Sequence, residues 1–456
     1  MLVLPERFRP GLEIVRRLRA AGWETYLVGG VVRDLLLGRL PKDLDIITAA
    51  PPEATAGLFE RTVPVGAEFG VVAVVLDGHP YQVATFRREG PYLDGRHPSF
   101  VEFSDVRADV LRRDFTVNAL LYDPLADALI DHVGGRADLE RRVIRTVGDP
   151  AERFLEDRLR LLRAIRFAAE LEFAIDPPTL EAIGVLVQRI TDVSAERIRD
   201  ELMHLLVAPG RAAGVRLLES TGLLKAVLPE VAAMAGVPQP PEFHPEGDVL
   251  THTYLALGHL RQPSGVLAMA TLLHDVGKPA TLTVSDRIRF HNHPAVGAAM
   301  AEAICQRLRL SGADTRAIVM LVADHLRVGD LPAMRPGRAA RFLRRADIDD
   351  VLELHRVDCL ASHRDLRVYD WAQQARREKS AEPPPRLLTG DDLVALGYRP
   401  GPQFAEILDA AEIAQAEGEF ATREEARSWV RARFPGGEPS ATTEPHEQRG
   451  TRRAGE

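Results

Sequence analysis

Residues 27–47 read Leu-Val-Gly-Gly-Val-Val-Arg-Asp-Leu-Leu-Leu-Gly-Arg-Leu-Pro-Lys-Asp-Leu-Asp-Ile-Ile. Tyr26-Leu27-Val28 is a short apolar run suited to a strand. Gly29-Gly30 lets the backbone turn tightly and come close to an anion. Val31 to Leu37 then reads as a helix closed by Gly38. The free N–H groups at its start favour phosphate. Arg33 lies in the first turn, where the helix dipole disfavours a cation, and a bound polyphosphate would reverse that penalty. Pro41-Lys42 breaks the chain, and Asp43-Leu44-Asp45-Ile46-Ile47 reads as the next strand. Side chains alternate along a strand, so Asp43 and Asp45 share one face while Leu44 and Ile46 point into the core. Two neighbouring acids repel unless a cation joins them, and Mg²⁺ with nucleotide phosphates suits all-oxygen ligands. Gly-Gly before a helix and Asp-x-Asp are each commonplace alone; their conjunction in this order is far rarer.

The 456 residues suffice for several domains with proper cores, and a hydrophobic content of 45% argues against wholesale disorder. A net charge of −8 does not forecast a nucleic-acid binder, so any RNA site must be a local arginine-rich groove. The two cysteines, Cys305 and Cys359, fit a reducing cytosol and speak against a thiol enzyme. No basic-then-apolar leader is present and no stretch approaches a membrane span, so a cytoplasmic protein is expected.

Residues 1–150 alternate strand-like and helix-like segments. Val71–Leu76 and Tyr81–Phe86 read as strands around an Asp77-Gly78 hairpin turn, which predicts a mixed sheet with helices. After Pro150 the strand signals vanish. Residues 151–237 read as a charged helical neck, and Pro238-Gln239-Pro240-Pro241 marks a boundary. Residues 238–382 form a histidine-rich helical block, and Pro383-Pro384-Pro385 marks the next. Residues 383–434 read as a small helical piece, and 435–456 as a polar, disordered tail. The expected class is α+β, a mixed-sheet head followed by helices, with no internal repeat.

The pattern G-G-x-V-R-D-x-L-L-G-x-x-x-x-D-x-D, met from Gly29 to Asp45, resembles the nucleotidyltransferase head of the class II tRNA nucleotidyltransferase and bacterial poly(A) polymerase family. Arg112-Arg113-Asp114-Phe115-Thr116-Val117-Asn118-Ala119 matches the family's R-R-D-F-T-[IV]-N-A at every position. Two arginines before an Asp cap can face a triphosphate while Phe115, Val117 and Leu120 pack inward. The resemblance implies a polymerase-β-like head in which Gly29, Gly30, Arg33 and Arg113, with Arg112 beside it, meet nucleotide, Asn118 orders the site, and Asp43 and Asp45 hold Mg²⁺. Asp131 to Leu139 is similar to the family's D-x-x-G-G-x-x-D-L hinge, and its reading is structural. One departure is Gln82, where many relatives carry Glu; a third carboxylate is then missing beside the metals.

Asp157, Arg160, Arg163 and Arg166 recur every third residue in Glu156–Phe167 and form one polar stripe, with Leu159, Leu162 and Ile165 opposite. The bland alternative is a salt-bridged face. Against it, three arginines without matching acids repel one another and suit phosphate or a base edge. The segment resembles the family's E-D-x-x-R motif followed by R-x-x-R-F. By resemblance Asp157 and Arg160 pair with the incoming base, and Arg163 and Arg166 meet phosphates. Ser194 to Leu202 looks like an N-capped helix and resembles the scaffolding motif E-R-I-x-x-E-L.

Further on, Leu272-Leu273-His274-Asp275-Val276-Gly277-Lys278 resembles the HD phosphohydrolase signature, and His252 and Asp358 fit its first and last ligand positions. His293 and His325 are expected to assist a phosphate or second metal; His244 and His291 read as structural. Imidazole with carboxylate suits Mn²⁺, Ni²⁺, Co²⁺ or Fe²⁺. The alternative is a degenerate HD scaffold for RNA.

The resemblance spans nearly the whole chain, including a tail, Leu388–Leu393 to Gly397–Pro402, like the family's tRNA-binding end. It implies a Mg²⁺-dependent enzyme that builds or repairs the 3′-terminal CCA of tRNA from CTP and ATP, with a phosphohydrolase activity in the HD domain. Residues 87–111 look like an undeleted flexible loop, which favours full CCA or A-only addition over CC-only addition. No basic insert near residues 62–72 points to poly(A) polymerase. A phosphohydrolase with a spent transferase head is the alternative of another class. Oligomeric state is not legible.

Overall fold

The computed structural model describes residues 2–65, 70–90, 92, 95, 99–378 and 386–435. The polar tail beyond residue 435, the Pro383-Pro384-Pro385 boundary, and Asp94, Arg96, His97 and Pro98 of the 87–111 loop lie outside them.

The head holds strands β1 (Thr25–Val28), β2 (Asp45–Thr48), β3 (Thr62–Pro64), β4 (Val71–Leu76), β5 (His79–Thr85), β6 (Arg87–Glu89), β7 (Val101–Phe103), β8 (Leu121–Asp123) and β9 (Ala128–Ile130). Seven of them form one mixed sheet in the order β3-β4-β5-β2-β1-β8-β9, with β2 and β5 parallel and the other neighbours antiparallel. The β4–β5 hairpin turns on Asp77 and Gly78, both at positive φ (51° and 78°), as the Asp-Gly pair predicts. The parallel pairing sets Gln82 directly opposite Asp45. Leu44 and Ile46 are buried at 4% and 1% exposure, as expected, but β2 begins only at Asp45, so Asp43 lies just before the strand and not on it. A small core of Tyr26, Val28, Ile47, Phe86, Val110 and Leu121 packs beneath the sheet, with the rings of Tyr26 and Phe86 stacked. Burying such side chains stabilises the head by about 1.5–3 kcal/mol each.

Helix Gly30–Leu36 follows β1 at once, and Gly38 ends it at φ 67°. The Asp131 carboxylate accepts from the N–H groups of Val133, Gly134, Gly135 and Arg136. That gives the segment expected as a hinge a rigid, capped start to helix Gly135–Arg141.

In the neck, helix Arg160–Leu171 packs on Ala195–Val207 and Arg211–Ser220. Leu159, Leu162 and Ile165 are all buried, as expected. Asp157 is not on that helix: it sits in extended conformation between Pro150–Glu156 and Arg160–Leu171. Ser194 takes the N-cap position of Ala195–Val207 without a side-chain cap bond. Short strands also occur beyond Pro150, at Ala174–Ile175 paired with Val143–Ile144, and in a hairpin of Leu282–Val284 with Ile288–Phe290. Two or three residues are too few to show a period of two in sequence.

The histidine-rich block contains helices Val249–His259, Gly265–Leu273, His293–Arg307 and Ile348–Ala361. The first two are capped by Asp248 and Ser264. By internal contacts the chain divides into residues up to Ala323 with Val357–Arg364, and Asp324–Arg356 with the residues from Asp365 on. The second unit has its own core of Leu393, Tyr398, Ile407 and Val430. No helix among the described residues is long and apolar enough to cross a membrane.

Candidate functional site

Gly29 adopts φ 78° and ψ −135°, a conformation that only glycine adopts at little cost. A β-carbon there would lie 3.7 Å from Asp45 Oδ2, Arg113 Nη1 and the Asn118 carbonyl alike, so the glycine turn sits where three expected site residues converge. A cleft of about 610 Å³ opens at this point, lined by Gly29, Gly30, Arg33, Asp43, Asp45, Arg113 and Asn118 from the head and by Arg163 and Arg166 from the neck. A second cleft, also about 610 Å³, is lined by Asp43 and Asp45 together with Gln82, Tyr81 and Arg7. The two acids therefore stand at the junction of two cavities.

Desolvation by the surrounding walls raises the Asp45 carboxyl above its ordinary pKa; Arg113 opposes this and Asp43 adds to it. A divalent cation favours the ionised form of such a pair. Gln82 borders the same cleft as the aspartates but brings an uncharged amide.

The arginines facing the first cleft are held by a continuous ionic network. Arg33 Nη1 donates to Asn118 Oδ1 at 2.6 Å, and Asn118 Nδ2 donates to Asp114 Oδ1 at 3.2 Å. Asp114 Oδ2 accepts from Arg163 Nη2 at 2.6 Å. Burial acts to raise the Asp114 pKa, but Arg163 and the neighbouring donors outweigh it and hold the carboxyl at about 2. Arg166 bonds Glu201 at 2.6 Å and Glu170 at 3.0 Å. Arg33, Arg163 and Arg166 all lie over the Phe167 ring, at 5.4, 5.2 and 4.2 Å. The expectation of arginines without matching acids is thus corrected: the acids come from the head, from the Ala195–Val207 helix, and from one turn away. Glu201 gives the scaffolding segment its physical content.

Asp157 and Arg160 do not line this cleft. Asp157 is gripped by Arg197 Nη2 at 2.8 and 3.1 Å. Arg160, 8% exposed, bonds Glu156 at 2.6 Å and the carbonyls of Arg153 and Arg112 at 3.0 and 3.1 Å. Arg112 and Arg113 both pair with the buried Asp109, at 2.5 and 3.0 Å. Arg113 Nε is a buried donor with no hydrogen-bond partner among the described residues. Lys42, Arg39 and His204 also line the cleft. The sequence reading used Lys42 only as a chain break and passed over the other two.

A second constellation lies in the histidine-rich block. His252, His274 and Asp275 are almost completely buried, and Asp358 joins them. His252 Nε2 is 3.3 Å from His274 Nε2, 3.0 Å from Asp358 Oδ1 and 3.8 Å from Asp275 Oδ2, and His274 Nε2 is 3.2 Å from Asp275 Oδ2. Ligand atoms roughly 2.1 Å from a shared ion lie about 3.0–3.4 Å apart when adjacent, and His252, His274 and Asp275 offer ligand atoms close enough together to hold a metal ion, with Asp358 against His252. His274 Nδ1 faces the Thr271 carbonyl at 2.8 Å and His293 Nδ1 the Phe290 carbonyl at 3.0 Å. A carbonyl only accepts, so both rings carry a proton on Nδ1 and turn Nε2 toward the cluster. His293 Nε2 reaches Asp275 Oδ1 at 3.4 Å. His325, expected to assist, belongs to the second unit.

His252 differs in that its Nδ1 meets a carboxylate, Glu246 Oε1, at 2.7 Å, and the same oxygen meets His244 Nδ1 at 2.9 Å. Burial lowers the His252 pKa, but Asp358 and Glu246 outweigh it and push it up to about 9. A metal ion would take the place of the Nε2 proton. The sequence reading missed Glu246, which looks like an ordinary loop acid. Glu246→Gln is expected to weaken Mn²⁺ affinity about 10–100-fold, the usual effect of losing a carboxylate that orients a ligand histidine. Calorimetric titration checks this, and an unchanged affinity would mean that packing alone orients His252.

Residues 25–145 match the poly A polymerase head domain, 172–234 the "Probable RNA and SrmB- binding site of polymerase A", and 249–352 the HD domain. A CCA-adding enzyme of Lactobacillus johnsonii is 42% identical over 225 residues, 49% of this chain and 56% of that protein. The chain thus matches little more than half the length of such curated relatives. The crystal structure of the Bacillus stearothermophilus CCA-adding enzyme in complex with CTP superposes with a TM-score of 0.69 at 29% identity, covering 94% of this chain and 98% of that one. The Thermotoga maritima CCA-adding enzyme complexed with tRNA shares the fold, with a TM-score of 0.59 at 19% identity over 94% and 96% of the two chains. The chain thus carries, in this order, matches to a poly A polymerase head, a polymerase A RNA-binding region and an HD domain, and its fold is similar to that of CCA-adding enzymes.

Proposed function

We propose that this protein is a tRNA nucleotidyltransferase that adds or repairs the 3′-terminal CCA using CTP, ATP and Mg²⁺. The observation that carries the proposal is the position of Asp43 and Asp45 at the junction of two clefts. In-line displacement needs the attacking hydroxyl and the leaving pyrophosphate on opposite sides of the transferred phosphorus. The glycine turn, Arg33 and Arg113 suit the first cleft to the triphosphate, and the second cleft receives the RNA 3′ end. Arg113 Nε, otherwise unpaired, donates to a phosphate oxygen. Asn118 holds Arg33 in place, and Arg163 and Arg166 extend the positive wall toward the neck. Asp43 and Asp45 would hold Mg²⁺, which would supply the positive charge that polarises the 3′ hydroxyl and offsets the pyrophosphate. The amide of Gln82 leaves the two aspartates to suffice.

Asp157 and Arg160 read the base, which requires that they leave Arg197 and Glu156. The Arg160→Ala variant is expected to change the ratio of CTP to ATP use by about 1–3 kcal/mol, while tRNA affinity falls less. Equal losses for all nucleotides, at unchanged ratios, would restrict Arg160 to its structural pairing with Glu156.

The proposed partition is head 1–150, neck 151–237, HD domain 238–382 and tRNA-binding segment 383–434. The HD cluster of His252, His274, Asp275 and Asp358 is proposed to hold a transition metal such as Mn²⁺, Ni²⁺, Co²⁺ or Fe²⁺. When bound there, such an ion would supply an activated water for hydrolysis of a phosphoester, for example a 2′,3′-cyclic phosphate on damaged RNA. Two free, buried cysteines suit a cytoplasmic protein.

Incubation with tRNA ending at the discriminator base, in CTP and ATP separately and together, tests the main proposal. Addition of CCA is expected. A requirement for tRNA already ending in CC would mark an A-adding enzyme, arrest after CC a CC-adding one, and a long adenylate tail a poly(A) polymerase. No addition to any substrate would overturn the proposal.

A further inference from the structure

Pro238-Gln239-Pro240-Pro241 reads in sequence as a mere boundary. The folded segment is tied to the helix that carries His252. The Val249 N–H donates to the Val237 carbonyl at 3.1 Å, and the Pro240 carbonyl accepts from the His244 N–H at 2.9 Å. The Asp248 carboxylate accepts from the Gly236 N–H at 2.5 Å. Proline on either side restricts the backbone at Gln239, and its side chain is buried, with the residue 4% exposed. Gln239 Oε1 accepts from Lys278 Nζ at 2.7 Å. An ammonium only donates, so the amide must turn its oxygen to Lys278 and its nitrogen away. That nitrogen is buried and has no hydrogen-bond partner among the described residues, an arrangement costly to keep in a segment that only links domains. Lys278 is itself 5% exposed and forms an ion pair with Asp275 Oδ2 at 2.7 Å.

We propose that Gln239 and Lys278 form an anion-binding pair that takes a phosphoryl oxygen of the substrate at the HD cluster. This inference rests on reading that cluster as a metal-dependent phosphohydrolase. The unpaired amide N–H donates to the oxygen, and the ammonium supplies charge. Asp275 is the counter-ion of Lys278, and the neutral amide adds no second negative charge to repel the anion. Asp275, which pairs with Lys278 directly, links the anion pair to the metal ligands, so metal and phosphoryl group share one site.

The test uses the full chain loaded with Mn²⁺, with inorganic phosphate as the calorimetric probe. Gln239→Leu is expected to keep Mn²⁺ affinity within about twofold, since the residue is no ligand, and to bind phosphate about tenfold more weakly. Gln239→Glu is expected to weaken phosphate binding further, because its carboxylate captures Lys278. Gln239→Leu also removes the Oε1 acceptor of Lys278, so some loss of melting temperature is expected; unchanged Mn²⁺ affinity beside weakened phosphate binding separates loss of the anion pair from collapse of the site. Phosphate binding by Gln239→Leu equal to that of wild type would overturn the pair and leave the phosphohydrolase reading standing. So would a Mn²⁺-loaded wild type that hydrolyses phosphoesters yet binds no phosphate. A wild type that binds no metal would overturn the phosphohydrolase reading and the pair with it.

Discussion

Nucleotide addition is expected to fall on the order of 10³-fold or more in Asp45→Ala, a loss of about 4 kcal/mol of transition-state stabilisation. Asp43→Ala is expected to do the same. The fold does not depend on either carboxylate, because Leu44 and Ile46 carry the packing of this stretch. Stability is expected to move in the opposite sense to activity. The Asp45 pKa is raised in the folded chain, so the protonated form is favoured by folding. Without bound cation, stability is then lost as pH rises from the unfolded carboxyl value through the folded one. Asp45→Asn should therefore melt at or above the wild-type temperature at neutral pH in chelator. Added Mg²⁺ should stabilise wild type and not the variant. Wild-type turnover of either variant at saturating Mg²⁺ would overturn the assignment of the two acids to the cations.

The parts of this molecule legible in sequence are those fixed by neighbours along the chain. The glycine turn, the Asp77-Gly78 hairpin and the burial of Leu44 and Ile46 on either side of Asp45 each depend on a few adjacent residues, and each appears as expected. The histidine cluster was legible because ligand identity survives separation in sequence. What escaped depends on approach in space. The three-residue spacing of Arg160, Arg163 and Arg166 predicts a stripe but not the partners it meets, and Asp114 and Glu201 come from 49 and 35 residues away. The same spacing placed Asp157 on a helix that begins only at Arg160. Glu246 and Gln239 carry no sequence signal beyond loop and linker; burial and hydrogen bonding single them out.

The second large effect separates the two sites. Asp275→Ala is expected to lower hydrolysis of a 2′,3′-cyclic phosphate on the order of 10³-fold while nucleotide addition stays within about twofold, since distant sites without shared partners act independently. Asp275 is central to the cluster: Oδ2 lies 3.2 Å from His274 Nε2 and 2.7 Å from Lys278 Nζ, and Oδ1 lies 3.4 Å from His293 Nε2. Its loss would remove a proposed metal ligand and leave a buried ammonium short of its counter-ion, a defect worth about 3–5 kcal/mol in such sites. Asp275→Asn retains the size of the side chain, and Asp275→Ala combined with Lys278→Met removes both charges together. If hydrolysis is lost in all three while the double variant melts like wild type, the loss is chemical and not a collapse of the fold. Asp45→Ala should give the mirror image, hydrolysis kept and addition lost. Assay across Mn²⁺, Ni²⁺, Co²⁺ and Mg²⁺ with metal analysis of the purified protein decides the matter. Undiminished hydrolysis in Asp275→Asn, or no hydrolysis by wild type with any of these ions, would make the histidine block a scaffold for RNA.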